Sequence, residues 1–300
     1  MAVSRSMTEQ LGTLTSGAAL YLLAGALGCL PLAVHAGRRA RIPELPRRYL
    51  VICGGLFAAY GILLYSALGL CATRRQVLEV TVINYLWPGF TLVLSIPILK
   101  HRARVPLLLA GVVLCLAGVC LASGLVNAPT APGAQARAGA VPHALALGAA
   151  LAWPLYSNLA RLWARDAAGN GVPLFLLATG LLLMAARAAH AEPARWTVPA
   201  ALEVLYAAVV PMLLGYMLWD IAVRRGNLPL VAALSYATPV LSIVFTSLYL
   251  DVPLARAHWA ACGLVVGGAL CCKLAVRDAA APPAASPAVA AQVVSRGGGA

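Results

Sequence analysis

Gln76-Val77-Leu78-Glu79-Val80-Thr81-Val82-Ile83-Asn84-Tyr85-Leu86-Trp87-Pro88 is the stretch on which the reading of the fold turns. It opens an apolar run, Val77–Leu99, long enough to cross a bilayer, because about 20 residues rising about 1.5 Å each match a hydrocarbon core of about 30 Å. Halfway along stand an amide, a phenol, an indole and a proline. Proline removes one backbone hydrogen bond and kinks a helix. In lipid the freed carbonyl must be satisfied internally or by a wet cavity. The sequence therefore predicts a spanning helix with a polar, aromatic interruption at its centre.

Eight further runs have the same length and character: Gly12–Ala36, Tyr49–Cys71, Val105–Val126, His143–Trp163, Val172–Ala189, Pro199–Val223, Pro229–Leu250 and Ala255–Leu274. The whole chain is 62% hydrophobic and 10% charged, against about 25% charged in soluble domains. Too little polar surface exists to cover a water-soluble globule. Nine spans are expected, with Tyr49, Trp163, Trp196 and Trp259 at headgroup depth and a disordered Ala/Pro/Gly/Ser-rich tail over 278–300.

The net charge of +13 comes from short clusters between apolar runs, which reads as membrane-flanking anchors and excludes a nucleic-acid face. Alternate loops hold 15 and seven of the 22 Lys+Arg. The richer set includes Arg38–Arg48, Lys100–Arg104, Arg161, Arg165, Arg224, Arg225, Lys273 and Arg277. The positive-inside bias places this set and the C-terminus in the cytoplasm, and places the N-terminus outside.

An internal echo accompanies the topology. Tyr85-Leu86-Trp87-Pro88 lies in the third run and Tyr236-Ala237-Thr238-Pro239 in the eighth, each after an Arg-Arg turn (Arg74-Arg75 and Arg224-Arg225). The two copies run in opposite directions through the membrane. Inverted repeats are a transporter signature, with the substrate site near the midplane where the halves meet. The repeat pairs runs one to four with six to nine. Run five is left without a partner, so one further helix is expected upstream of Met1. The expected organisation is a first repeat over 1–126 with four spans, an external linker over 127–142, and a second repeat over 143–277 with five spans.

Asn84, Tyr85 and Trp87 offer stacking and hydrogen bonding beside the kink at Pro88. Trp153, Pro154 and Tyr156 repeat this chemistry in the fifth run, too deep for an interfacial belt; Tyr60 and Tyr236 are weaker candidates. Acids near the spans are few. Glu79 could pair with Arg75 or meet a substrate ammonium or proton. Asp220 precedes Arg224 by four residues, as in a helix-end salt bridge. Glu203 lies near a helix start, where an acid suits the dipole. The eight cysteines lie in apolar runs without metal spacing and read as small buried residues. No phosphate-binding loop, zinc-protease motif or nucleophile spacing occurs, so neither a cofactor nor an enzyme activity is expected. Transport would run on solute or ion gradients.

The stretch Gln76–Pro88 resembles the EamA-like members of the drug/metabolite transporter superfamily, and among them the exporters of aromatic amino acids. The resemblance extends through Tyr60-Gly61-Ile62 and Ser66-Ala67-Leu68-Gly69. It resumes at Trp153-x-x-Tyr156, at Gly215-Tyr216-x-x-Trp219 with Gly226-Asn227, and at Ser235-Tyr236-x-Thr238-Pro239-Val240-Leu241-Ser242. It covers roughly Val3 to Lys273. It implies an all-α integral membrane bundle of ten helices in two inverted halves, with both termini cytoplasmic. It also implies export of amino acids by alternating access about Pro88 and Pro239. Tyr85, Trp87 and Trp153 match aromatic cavity positions. Three departures stand out: the first of the ten helices is absent, Asp220 replaces an Asn, and Arg74-Arg75 replace a His pair. A start upstream of Met1 is the expected explanation of the first, with a nine-helix remnant as the alternative.

The resulting expectation is a multi-pass bacterial inner-membrane exporter, monomeric in lipid, whose solute is an amino acid. Other carriers of the superfamily, for drugs, purines or nucleotide sugars, are the alternatives within the class. A non-transporting scaffold or membrane enzyme is the alternative outside it.

Overall fold

A computed structural model describes residues 7, 10–37, 45–72, 74–122, 140–190, 192–238, 241 and 256–277. Nine helical segments are present among them. They are α1 Thr13–Gly37, α2 Tyr49–Gly69, α3 (broken into Arg74–Asn84 and Trp87–Leu99), α4 Val105–Ala122 and α5 Val141–Ala164, then α6 Val172–Ala189, α7 Val198–Arg225, α8 Leu228–Ser235 and α9 Arg256–Ala275. Five contain stretches long and apolar enough to cross a membrane: Thr13–Leu30, Tyr49–Gly69, Glu79–Leu99, Val172–Ala189 and Val198–Arg225; Val105–Leu121 and Trp259–Ala275 are shorter apolar helices. Residues 127–139 of the expected linker, Pro239 and the tail lie outside the described residues, and α5 starts at Val141, just inside the expected end of that linker.

Exposed side chains on the bundle are largely apolar, with Val51, Val113, Leu181, Leu218 and Leu274 among them. This is the surface a helix bundle needs when lipid is its solvent. α5 is different. It is less apolar along its length, and half of its residues are buried, including Trp153, Tyr156, Ser157 and Asn158. It packs against α2, both halves of α3, and α7. A helix surrounded by other helices can carry the polar groups that a lipid-facing one cannot.

Equivalent helices of the two halves pack on one another: α1 on α6, α4 on α9, and the second half of α3 on α8. The contacts are reciprocal. Gly25 meets Leu177, and Gly180 meets Leu22. Gly111 meets Cys272 and the Gly268 carbonyl, while Gly268 meets Cys115 and the Gly111 carbonyl. In each pair the later residue of one helix meets the earlier residue of the other, so the partners are antiparallel. This is the contact pattern of a two-fold axis relating inverted repeats. Small residues allow the backbones to approach this closely, as is usual where no hydrophobic effect drives helices together.

The chain ends of the helices sort onto two sides. On one, Arg102–Ala103 (β1) after α3 pairs antiparallel with Val276–Arg277 (β2) after α9. On the other, the Glu192 carboxylate accepts from the backbone N–H groups of Leu14 (3.0 Å) and Thr15 (3.2 Å), and the Arg195 N–H donates to the Gln10 carbonyl at 2.9 Å. An acid at the first turn of α1 is favoured by orphan N–H groups and the helix dipole. Gly12, at φ +80°, makes the turn into that helix.

Candidate functional site

α3 breaks where Pro88 requires it. Helical bonding stops after Asn84, Tyr85 and Leu86 form a turn, and a new helix starts at Trp87 with Pro88 in its first turn. There the missing N–H costs least. α8 shows the same break, a turn at Tyr236 followed by helical Ala237 and Thr238. The echo in sequence is thus an echo in structure.

The break delivers Trp87 to an aromatic cluster whose hub is Trp153. Ring centroids lie 4.7 Å from Trp153 for Tyr60, 5.1 Å for Tyr156, 5.3 Å for Tyr216, 5.8 Å for Phe57, 5.9 Å for Trp219 and 6.4 Å for Trp87. Trp87 and Trp219 also meet edge to face at 5.1 Å. Four segments contribute: α2, α3, α5 and α7. Tilted and edge-on arrangements suit ring quadrupoles. Polar groups are interleaved with the rings. The Trp219 indole N–H donates to Ser157 Oγ at 3.3 Å. Asn158 donates from Nδ2 to the carbonyls of Thr91 and Pro154, both at 3.0 Å, tying α5 to the broken helix. Among the described residues, Asn84 Oδ1 is a buried acceptor without a hydrogen-bond partner.

Of the residues singled out from sequence, Tyr60, Asn84, Trp87, Trp153 and Tyr156 come together here. Tyr85 and Tyr236 do not. They lie in a separate apolar cluster with Cys115, Val119 and Val265, where Tyr236 is fully buried. Glu79 is also apart: its carboxylate meets His143 Nε2 at 3.0 Å between the starts of α3 and α5. The Arg75 side chain lies outside the described residues. Glu203, expected near a helix start, sits in the second turn of Val198–Ala207.

Next to the aromatic cluster lies an ionic network that the sequence reading missed in part. Asp220 and Arg224 form the expected pair, at 2.8 Å, but it is not a surface bridge: the two side chains are 0% and 1% exposed. Asp220 Oδ1 accepts from Tyr156 Oη at 2.8 Å and from Tyr49 Oη at 3.0 Å. Arg224 donates to the carbonyls of Ala164 (2.9 Å), Ala167 (3.3 Å) and Gly169 (2.8 Å). Tyr49, at the end of its span, is completely buried within the bundle. Buried charges survive when they are paired and gather hydrogen bonds, and the Tyr49 hydroxyl supplies one of those to Asp220. The (i, i+4) spacing of Asp220 and Arg224 in an apolar segment is the local signal for this network; Tyr49 carried none.

Comparison with known proteins agrees with this architecture. The EamA-like transporter family matches residues 1–124 and again 141–272. The chain is 31% identical over 284 residues to the aromatic amino acid exporter YddG of Escherichia coli, covering 91% of each chain. It is 31% identical over 276 residues, again 91% of each, to the protein of that name from Salmonella typhimurium. To the one from Ancylobacter novellus it is 33% identical over 237 residues, 75% of each. A solved crystal structure superposes with a TM-score of 0.74 at 28% identity, across 91% of both chains. With two family matches, one on each inverted half, the chain belongs to the EamA-like transporter family and is a multi-pass membrane transporter.

Proposed function

We propose that this transporter exports amino acids, aromatic ones above all, across a bacterial inner membrane by alternating access. The observation that carries the reading is the Trp153-centred cluster, in which Tyr60, Trp87, Tyr156, Tyr216 and Trp219 surround one indole at depth in the bundle. Aromatic walls with sparse polar groups suit a flat, amphipathic solute by stacking and hydrogen bonding. The names of the relatives support the same solute class.

In this reading the halves 1–126 and 143–277 rock against one another, with Pro88 and Pro239 as hinges. The basic loops and C-terminus face the cytoplasm, and a single chain in lipid is the working unit. Counterflow of labelled tryptophan into proteoliposomes loaded with unlabelled aromatic amino acids tests it. Wild-type chain should accumulate label, with Trp153→Ala and Trp87→Ala each at least about tenfold slower, since losing a stacked ring costs about 1–3 kcal/mol. No counterflow with any aromatic amino acid, or unchanged flux in both variants, removes this reading. Label displaced by a purine or nucleotide sugar, and not by aromatic amino acids, moves the solute to those classes.

A further inference from the structure

We infer that Asp220 is a positioning residue that couples the aromatic site to closure of the basic-loop side of the bundle. The inference rests on the alternating-access reading, which requires that side to open and close. It concerns a group that sits outside the cluster of rings and reaches it through Tyr156.

Tyr156 belongs to both systems. Its ring packs on Trp153 at 5.1 Å and on Phe57 at 5.6 Å. Its hydroxyl donates to Asp220 Oδ1 at 2.8 Å. The same oxygen takes the Tyr49 hydroxyl from the start of α2, and the other oxygen stands 2.8 Å from Arg224 Nε in an ion pair. Arg224 in turn holds three carbonyls at the end of α5 and in the loop that follows. The Tyr49 hydroxyl also accepts the Gly171 N–H at 3.2 Å, at the threshold of α6. One carboxylate therefore links α2, α5, α6 and α7 on the side where their basic loops lie. All four side chains, Tyr49, Tyr156, Asp220 and Arg224, are buried.

A carboxylate suits this position. It offers two equivalent charged oxygens, enough for two phenols and a guanidinium, and such charge-assisted bonds are about twice as strong as neutral ones. An amide offers one oxygen and turns N–H donors toward the remaining donors. A solute wedging between Trp153 and Tyr156 displaces the Tyr156 ring and with it the hydroxyl on Asp220. The closure that Asp220 organises then loosens from within, and the solute's arrival is converted into opening of that side. Conversely, Asp220 holds the Tyr156 ring in place while the site is empty.

The chain contains its own reporter. Cys53 lies one turn beyond Tyr49 and is fully buried. Cys71, beyond the far end of the same helix, is half-buried on the opposite side. The full chain in lipid nanodiscs is treated with a water-soluble maleimide, and each cysteine is followed by peptide mass spectrometry. The expected result is slow alkylation of Cys53 in the wild type and a rate at least about tenfold higher in Asp220→Asn, with Cys71 unchanged, because a buried thiol reports the open population. Tyr156→Phe and Tyr49→Phe should each give a smaller, several-fold rise. An unchanged Cys53 rate in Asp220→Asn overturns the inference. So does a parallel rise at Cys71, which marks general loosening. If Asp220→Asn does not fold, the two Tyr→Phe variants decide, and wild-type rates in both overturn it. No solute flux enters the measurement, so absent counterflow with a Cys53-selective rise discards the transport reading alone.

Discussion

The hydroxyl of Tyr236 lies against Gly89, where the first carbon of a side chain would stand 2.8 Å from the oxygen and 3.0 Å from Val112. Each residue sits at the interruption of its own helix, Gly89 just after Pro88 in α3 and Tyr236 at the turn in α8. The two breaks, written as an echo in the sequence, are packed against one another. A methyl group at Gly89 would have to displace the phenol. Gly89→Ala should destabilise the chain by about 1–3 kcal/mol, the usual cost of overpacking, read as a lower unfolding temperature in detergent. In a Tyr236→Phe background the penalty should shrink by about 1 kcal/mol, because the obstructing oxygen is gone. An equal penalty in both backgrounds would show that Val112, not Tyr236, sets the limit.

Adjacent glycines on α9 should respond with opposite sign. Gly268 faces α4 so closely that a Cβ would stand 2.6 Å from both Cys115 Sγ and the Gly111 carbonyl, whereas Gly267 has nothing within 4 Å. Helix propensity alone favours alanine over glycine by about 0.8–1.0 kcal/mol. Gly267→Ala should therefore be neutral or slightly stabilising. Gly268→Ala should separate α4 from α9 and lower the unfolding temperature by several degrees, consistent with a loss of about 1–3 kcal/mol. Equal effects at the two positions would contradict the close crossing.

Glu79 and His143 test whether an acid near the membrane serves structure or solute. The pair is partly exposed, at 25% and 33% for the side chains, and lies away from the Trp153 cluster. Partly solvated pairs contribute about 0–1 kcal/mol. Glu79→Gln is expected to lower stability by no more than that and to retain aromatic counterflow. Abolished flux in a variant of unchanged stability would instead give Glu79 a direct part in handling the solute or a proton.

What the sequence made legible follows from what is local. Runs of about 20 apolar residues announce spans without any knowledge of neighbours, and the described helices start within a few residues of the expected positions. Pro88 announces a break because proline acts on its own helix. Trp153 and Trp87 were recognisable because an indole at mid-span needs a polar partner. The place of Tyr49 in the buried ionic network was not legible, for the opposite reason. It stands at a span end beside two arginines, as an interfacial residue does, and its partner Asp220 is 171 residues away. Tyr236 shares a motif with Tyr85 and a cluster with it, but not the Trp153 site. A motif fixes the break in a helix and not the direction in which each side chain points after it.

Asn158 supplies the sharpest test of how α5 holds the broken helix. Its Nδ2 donates at 3.0 Å to Thr91 O, one turn beyond Trp87, and at 3.0 Å to Pro154 O within α5. The side chain is fully buried. Asn158→Ala removes both bonds and leaves the Thr91 carbonyl without this donor, a loss of about 1–3 kcal/mol. Asn158→Asp keeps the shape but sets a carboxylate against two carbonyl oxygens. An uncompensated buried charge costs more than a deleted bond, so the order of stability should be wild type, then Ala, then Asp. Thermal unfolding in one detergent measures it. Tryptophan counterflow by Asn158→Ala should fall even at a low temperature that restores its stability, because Trp87 is positioned through the helix that Asn158 anchors. If Asp proves as stable as wild type, the amide is not donating to these carbonyls and the link between α5 and the break must be made by other groups.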